Sequence, residues 1–191
     1  TFLVQSFSFL ALISLLAVSP MTSATAESLP LSASDLFAAA EQADQENRWS
    51  DAGTLYRQAI DIEPTFNRLM SAHDWARRAY EFDAMTAYAD ELVELAVDSG
   101  DLSDVSVALN ERGLGLNAAG RYALAEEPYR HSLSTRLEAN GSRGTNDADY
   151  GITLSNMAVS VKNQERYEEA EALYRQALDI LGRQVGVESQ D

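Results

Sequence analysis

Cysteine is absent from all 191 positions, which excludes disulfides and every thiolate-ligated metal. Histidine occurs twice, at His73 and His131, and neither an HExxH run nor a glycine-rich phosphate loop is present. Basic residues are scarce, 14 Lys and Arg against 30 Asp and Glu, for a formal net charge of −16, and no charged residue precedes Glu27. A surface of that sign repels phosphate backbones, which nucleic-acid-binding proteins meet with clustered Lys and Arg, so nucleic acid is not an expected partner. Proline appears only at Pro20, Pro30, Pro64 and Pro128, while 46% of the chain is hydrophobic with much Ala and Leu, a composition that favours helix throughout.

The uncharged N-terminus holds the apolar run Phe7–Val18, then Pro20, then Ala24-Thr25-Ala26 immediately before Glu27. About twenty apolar residues are needed to cross a bilayer, and this run is shorter. Alanines at both small-residue positions suit a signal-peptidase site. Residues 1–26 are therefore read as a secretory signal, giving an exported chain, periplasmic or extracellular, with no stable membrane span after cleavage. The competing reading is an apolar N-terminal helix packed on the rest of the chain. Residues 27–34 form a short linker with Pro30, and Ser34 is the expected N-cap of a helix starting at Asp35.

From there the chain repeats itself. The stretches Gly120–Leu137 and Glu165–Leu181 superpose Tyr122 on Tyr167, 45 positions later, along with Ala125 on Ala170, Tyr129-Arg130 on Tyr174-Arg175 and Leu133 on Leu178. A third copy, Asn47–Pro64, carries Trp49, Ala52, Tyr56-Arg57 and Ala59-Ile60 at the same spacings. Such self-similarity marks a stacked array, in which one short unit cannot bury its apolar face alone. Apolar residues at three- and four-residue intervals divide the array into helix pairs over 35–64, 65–100, 102–141 and 146–186, with 187–191 as a tail continuing into a longer protein. Gly100 suits a helix C-terminus and Ser103 the next N-cap, Pro128 predicts a kink, and Asn140–Asp147 is the strongest loop signal.

Leu154, Met157-Ala158, Val161, Tyr167, Ala170, Tyr174 and Ala177-Leu178 in the last unit resemble the tetratricopeptide repeat, as do Leu109, Gly113, Leu116, Gly120, Tyr122, Ala125, Tyr129 and Leu133 in the third. The longer period, with the phrases TLSNMA and YEEAEALYRQALDIL, is similar to the kinesin-light-chain subtype found in many bacterial proteins. The likeness is weakest over Thr65–Gly100, where Ala89 stands for the usual aromatic and His73 for a small residue. It implies an all-α, right-handed superhelical array of about four antiparallel hairpins, non-enzymatic and without a cofactor. Physically, Gly113, Ala125, Ala158 and Ala170 let paired helices approach while Tyr122, Tyr129, Tyr167 and Tyr174 fill the gaps between hairpins.

The same resemblance implies a concave peptide-binding face lined by the first helix of each hairpin. By position it holds Glu41 and Asp44, then Asp74, Arg77 and Arg78, then Asn110, Glu111 and Asn117, then Asn156, Lys162 and Asn163. Asparagine donates and accepts at once, which suits a ligand backbone; the plainer alternative is ordinary polar helix surface. The two-carboxylate clamp of chaperone-binding members is not evident, since Leu114 and Val159 occupy its asparagine places. A partner protein or peptide, with basic character favoured by the charge, is the implied ligand. Elsewhere His73 suits an interior substitution and His131 a solvated surface. The pairs Glu126-Glu127 and Glu168-Glu169 suit solvated faces, and Asn146–Asp149 suits helix capping over calcium. Two other readings stay open: the N-terminal sensor or adaptor region of a larger enzyme, and an acidic glycan hydrolase.

Overall fold

The computed structural model describes residues 30–188, and within them eight α-helices and one 3₁₀ turn, with no strand among the described residues. Residues 1–26, read above as a signal, and the end of the tail lie outside the described residues. The helices are α1 (Ala33–Gln45), α2 (Trp49–Ile62), α3 (Phe66–Arg78), α4 (Phe82–Ser99), α5 (Leu102–Ala118), α6 (Tyr122–Asn140), α7 (Ala148–Lys162) and α8 (Tyr167–Glu188). They pair as four antiparallel hairpins, each helix packed on the next, with α5 also touching α7.

Helix starts differ from the sequence expectation in two places. Ser32, not Ser34, caps α1: its hydroxyl accepts from the Asp35 amide at 3.2 Å, and Asp35 Oδ2 accepts from the Ser32 amide at 3.2 Å. This reciprocal box satisfies two donors at once, which a cap at Ser34 could not do because Phe37, not Glu or Asp, stands three residues on. Ser34 instead accepts from Arg68. Asp101 rather than Ser103 caps α5, its carboxylate accepting from the Ser103 and Asp104 amides at 2.8 and 3.3 Å. The expected loop at Asn140–Asp147 is mostly ordered: α6 runs to Asn140 and Gly141–Asn146 forms a 3₁₀ turn. A Cβ at Gly144 would lie 2.7 Å from the Arg136 carbonyl oxygen, so only glycine lets the turn fold back on α6. Pro128 lies buried inside α6, and the helix continues through it without a break.

All four intra-hairpin turns share one geometry. A single residue with positive φ stands two positions before the first aromatic of the second helix: Asn47 (57°), Tyr80 (61°), Gly120 (73°) and Glu165 (64°). The second hairpin, weakest in sequence, therefore turns like the others. Left-handed backbone costs a residue with a Cβ about 1 kcal/mol. Tyr80→Gly is thus expected to stabilise the chain by about 0.5–1 kcal/mol and Gly120→Ala to destabilise it by a similar amount, since nothing crowds a Cβ there. Urea titrations of the two variants check both signs.

Packing uses small residues where rings approach. Tyr56 is 2% exposed and stacks edge-on against Phe37 (5.7 Å) and tilted against Trp75 (6.1 Å). A Cβ on Gly53 would sit 2.3 Å from the Trp75 ring, and one on Gly113 2.5 Å from the Tyr129 ring. Ala125, Ala158 and Ala170 are buried as expected, and Tyr129 is fully buried. Tyr167 is a correction: it is 59% exposed, and Tyr122 and Tyr174 are half-buried. Core residues divide between a large cluster reaching from α1 to α5 and two smaller ones in the last hairpins.

Candidate functional site

Neighbouring hairpins are stitched together by ion pairs. Arg78 Nη2 on α3 donates to Asp44 Oδ2 on α1 at 2.6 Å, and Arg57 on α2 grips Glu91 on α4 through two bonds of 2.6 and 3.1 Å. Arg57 also lies over the Tyr88 ring, 5.4 Å from its centroid. Both pairs span 34 positions, one more than separates the equivalent turn residues Asn47 and Tyr80.

Of the predicted residues from the first two hairpins, Glu41, Asp44, Asp74 and Arg78 come together and Arg77 stays outside their cleft. Glu41, Asp44 and Gln45 of α1, Tyr56 of α2, and Met70, Ser71, Asp74 and Arg78 of α3 line an open cleft of about 410 Å³. Asp44 is only 5% exposed, and its Oδ1 has no hydrogen-bond partner. Tyr56 donates to Asp44 Oδ2 at 3.5 Å. Burial, reinforced by the Asp44 and Glu41 carboxylates, pushes the Tyr56 phenol up, so it stays protonated. Asp74 pairs with Arg77 and with Arg78, whereas Glu41 is exposed and has no ion pair.

Further along, His73 of α3 is buried, with Nδ1 3.3 Å from Glu111 Oε2 of α5. Burial lowers His73 to about 4 and raises Glu111 above the usual carboxylate range. His73 is thus an interior residue with a specific partner, and its Nε2 has none.

The asparagines of α5 and α7 largely face one another. Asn156 Nδ2 donates to Asn110 Oδ1 at 3.1 Å, and Asn110 Nδ2 donates to Glu111 Oε1 at 3.1 Å. Asn117 is fully engaged: its Nδ2 donates to the Tyr129 hydroxyl (3.1 Å) and the Asn156 carbonyl (3.3 Å), and its Oδ1 accepts from Ser160 (2.7 Å). Asn110 and Asn156 keep spare capacity, an unused amide proton on each and the Asn156 Oδ1. Lys162 and Asn163 are exposed at the end of α7 and make no side-chain bond.

Sequence reasoning missed two buried charges. Glu126, assigned to a solvated pair, is 4% exposed: it accepts from Gln164 at 2.7 Å and from Arg166 and Arg130. Burial alone would raise its carboxyl, but the Gln164 and Arg166 donors and the nearby cations outweigh it and hold the group below the usual range. A charged residue one position after a buried alanine carries no pattern signal; Arg130 is four residues away on the same helix, but Gln164 and Arg166, which bury the carboxylate against the next hairpin, lie 38 and 40 residues away. Arg136 is likewise buried, donating to Asp149 at 2.7 Å beside Asp147, which caps α7. Glu127, Glu168 and Glu169 are exposed.

A tetratricopeptide repeat family profile matches residues 104–183. No curated protein matches the sequence. Among solved structures, BtubC (BKLC) from P. vanneervenii superposes with a TM-score of 0.67 at 17% identity, covering 81% of this chain and 65% of that one. The apo form of RapI gives 0.65 at 12% identity, covering 79% and 43%. A Podospora anserina protein assigned as a kinesin light chain, with nearly identical TPR-like repeats, gives 0.66 at 11% identity, covering 80% and 76%. The chain thus spans under two thirds of the length of the first two.

Proposed function

We propose that the protein, whose residues 104–183 match a tetratricopeptide repeat profile and whose described helices stack in that fold, is a non-enzymatic, exported scaffold that captures a partner polypeptide. The capturing surface is the face of the first helices α1, α3, α5 and α7. The observation that carries this reading is the set of polar groups left unspent there: Glu41, the open sides of Asn110 and Asn156, and Lys162 with Asn163. Asn117, whose amide is consumed internally, positions α7 and does not meet the ligand. A ligand backbone needs donors and acceptors alternating along its length, which these groups offer. The net charge of −16 favours partners rich in Lys or Arg and makes association salt-sensitive.

Export rests on the apolar run and the Ala24-Thr25-Ala26 ending. Intact mass of the protein secreted from a bacterial host should begin at Glu27; an uncleaved chain retained in the cytosol contradicts export.

Capture is tested with Lys162→Ala/Asn163→Ala beside Asn110→Ala/Asn156→Ala. Each lost hydrogen bond is worth about 1 kcal/mol, so both doubles should weaken partner retention several-fold with helicity preserved. Equal retention by wild type and both variants at the same salt rules out the first-helix face.

A further inference from the structure

We infer that the cleft between α1 and α3 is a seat for the cationic side chain of a partner polypeptide, formed by Glu41, Asp44, Ser71 and Asp74 over a floor of Tyr56 and Met70. The inference rests on the capture reading above and gives that surface a specificity element in its first two hairpins.

Three carboxylates line the cleft of about 410 Å³; Arg78 opposes two of them and Arg77, outside the lining, pairs with Asp74, which leaves Glu41 as the excess negative charge. Charge alone would not make a site, because acidic clusters on helices are ordinarily solvated. Asp44 supplies the second observation. A carboxylate that is 95% removed from solvent requires its lone pairs to be filled, yet Oδ1 has no partner while Oδ2 holds Arg78 and the Tyr56 hydroxyl. One buried acceptor is therefore unfilled on a side chain that lines the cleft, beside an unpaired exposed carboxylate, Glu41, and an uncommitted hydroxyl, Ser71.

The shape suits a long stem with a charged end. Met70 and Tyr56 are in the lining and bring carbon surface that methylenes can pack against, alongside the acceptors that a charged end would need. Arg78 acts as the resident cation. It is 41% exposed at the rim, and its Nε has a second partner in Asp74 Oδ2 at 3.1 Å, so the guanidinium can give up Asp44 to an incoming donor and stay paired. Acidic or neutral side chains meet the opposite situation: an anion would face three carboxylates, and an apolar chain would leave Asp44 Oδ1 unfilled.

The probe is an acetylated, amidated pentapeptide with one central lysine flanked by alanine and serine, titrated against the full chain while amide resonances are followed. Its controls carry norleucine or glutamate at the centre. Saturating shifts at Glu41, Asp44, Ser71 and Asp74 are expected with lysine and none with either control. Glu41→Gln, an exposed change that leaves the fold intact, should weaken the lysine peptide about threefold, and Arg78→Gln should tighten it by about as much because the resident competitor is gone. Equal shifts from the norleucine peptide, or an unchanged affinity in Glu41→Gln, overturn the assignment. If the seat fails while Lys162→Ala/Asn163→Ala still loses its partner, the seat alone is wrong. If the lysine peptide titrates the cleft while both double variants keep their partners, the capture reading is wrong and the seat stands.

Discussion

Tyr129→Ala is expected to destabilise the protein by about 3–5 kcal/mol, and to do so unevenly along the chain. The ring is fully buried between α5 and α7, sits against Gly113 with no room for a Cβ, and its hydroxyl accepts from Asn117, which in turn holds Ser160. Truncation removes the packing and leaves the Asn117 amide one partner short at the joint between the third and fourth hairpins. Because each hairpin packs chiefly on its neighbours, amide exchange should quicken across α6, α7 and α8 and remain near wild type in α1 and α2. Uniform acceleration would contradict this quasi-linear division. Gly113→Ala acts on the same joint from the other side, by overpacking, with an expected cost of about 1–3 kcal/mol.

The second large effect is acid sensitivity centred on His73. Burial holds it neutral, with a folded pKa of about 4 against an ordinary 6.5. A group whose folded pKa is depressed is more readily protonated when unfolded. Its contribution is therefore fully present above pH 6.5 and is lost as pH falls toward 4. The shift corresponds to on the order of 3 kcal/mol. Glu111, facing it, contributes with the opposite sign: its raised pKa adds stability as it protonates, and that gain disappears as pH rises through the folded value. Asp74 and Arg77 act on His73 in opposing directions. Stability should thus fall between pH 6.5 and 4 in wild type. In His73→Leu the slope over that window should be largely abolished. A His73→Leu chain with the wild-type slope would assign the acid sensitivity to the carboxylates instead.

What the sequence made legible is what repeats. Tyr122, Ala125, Tyr129 and Leu133 announce a helix because their counterparts recur 45 positions on, and α6 and α8 lie where that register places them. The second hairpin was harder because Ala89 occupies an aromatic position, yet Tyr88, one residue earlier, is buried and supplies a ring against Arg57. Its left-handed turn residue, Tyr80, gives no compositional hint, since tyrosine is disfavoured there, and it holds that conformation with its side chain 79% exposed. At the candidate site the residue types were legible and their partners were not. Asn110, Asn117 and Asn156 stand on the expected helices, but whether an asparagine faces a ligand or another asparagine is decided by α5 meeting α7, which no local spacing encodes. Glu126 fails for the same reason: a buried carboxylate and a solvated one look alike until Arg166 and Gln164 arrive from the next hairpin.

The most direct measurement of the central claim, capture on the first-helix face, is site-specific photo-crosslinking in the exported fraction. A photoreactive residue is placed in turn at Glu41 and Lys162 on the first helices and at Glu127 and Gln176 on the second helices, all four exposed. Partner adducts are expected from positions 41 and 162, fading as salt is raised, and none from 127 and 176. Adducts confined to 127 and 176 would contradict capture on that face.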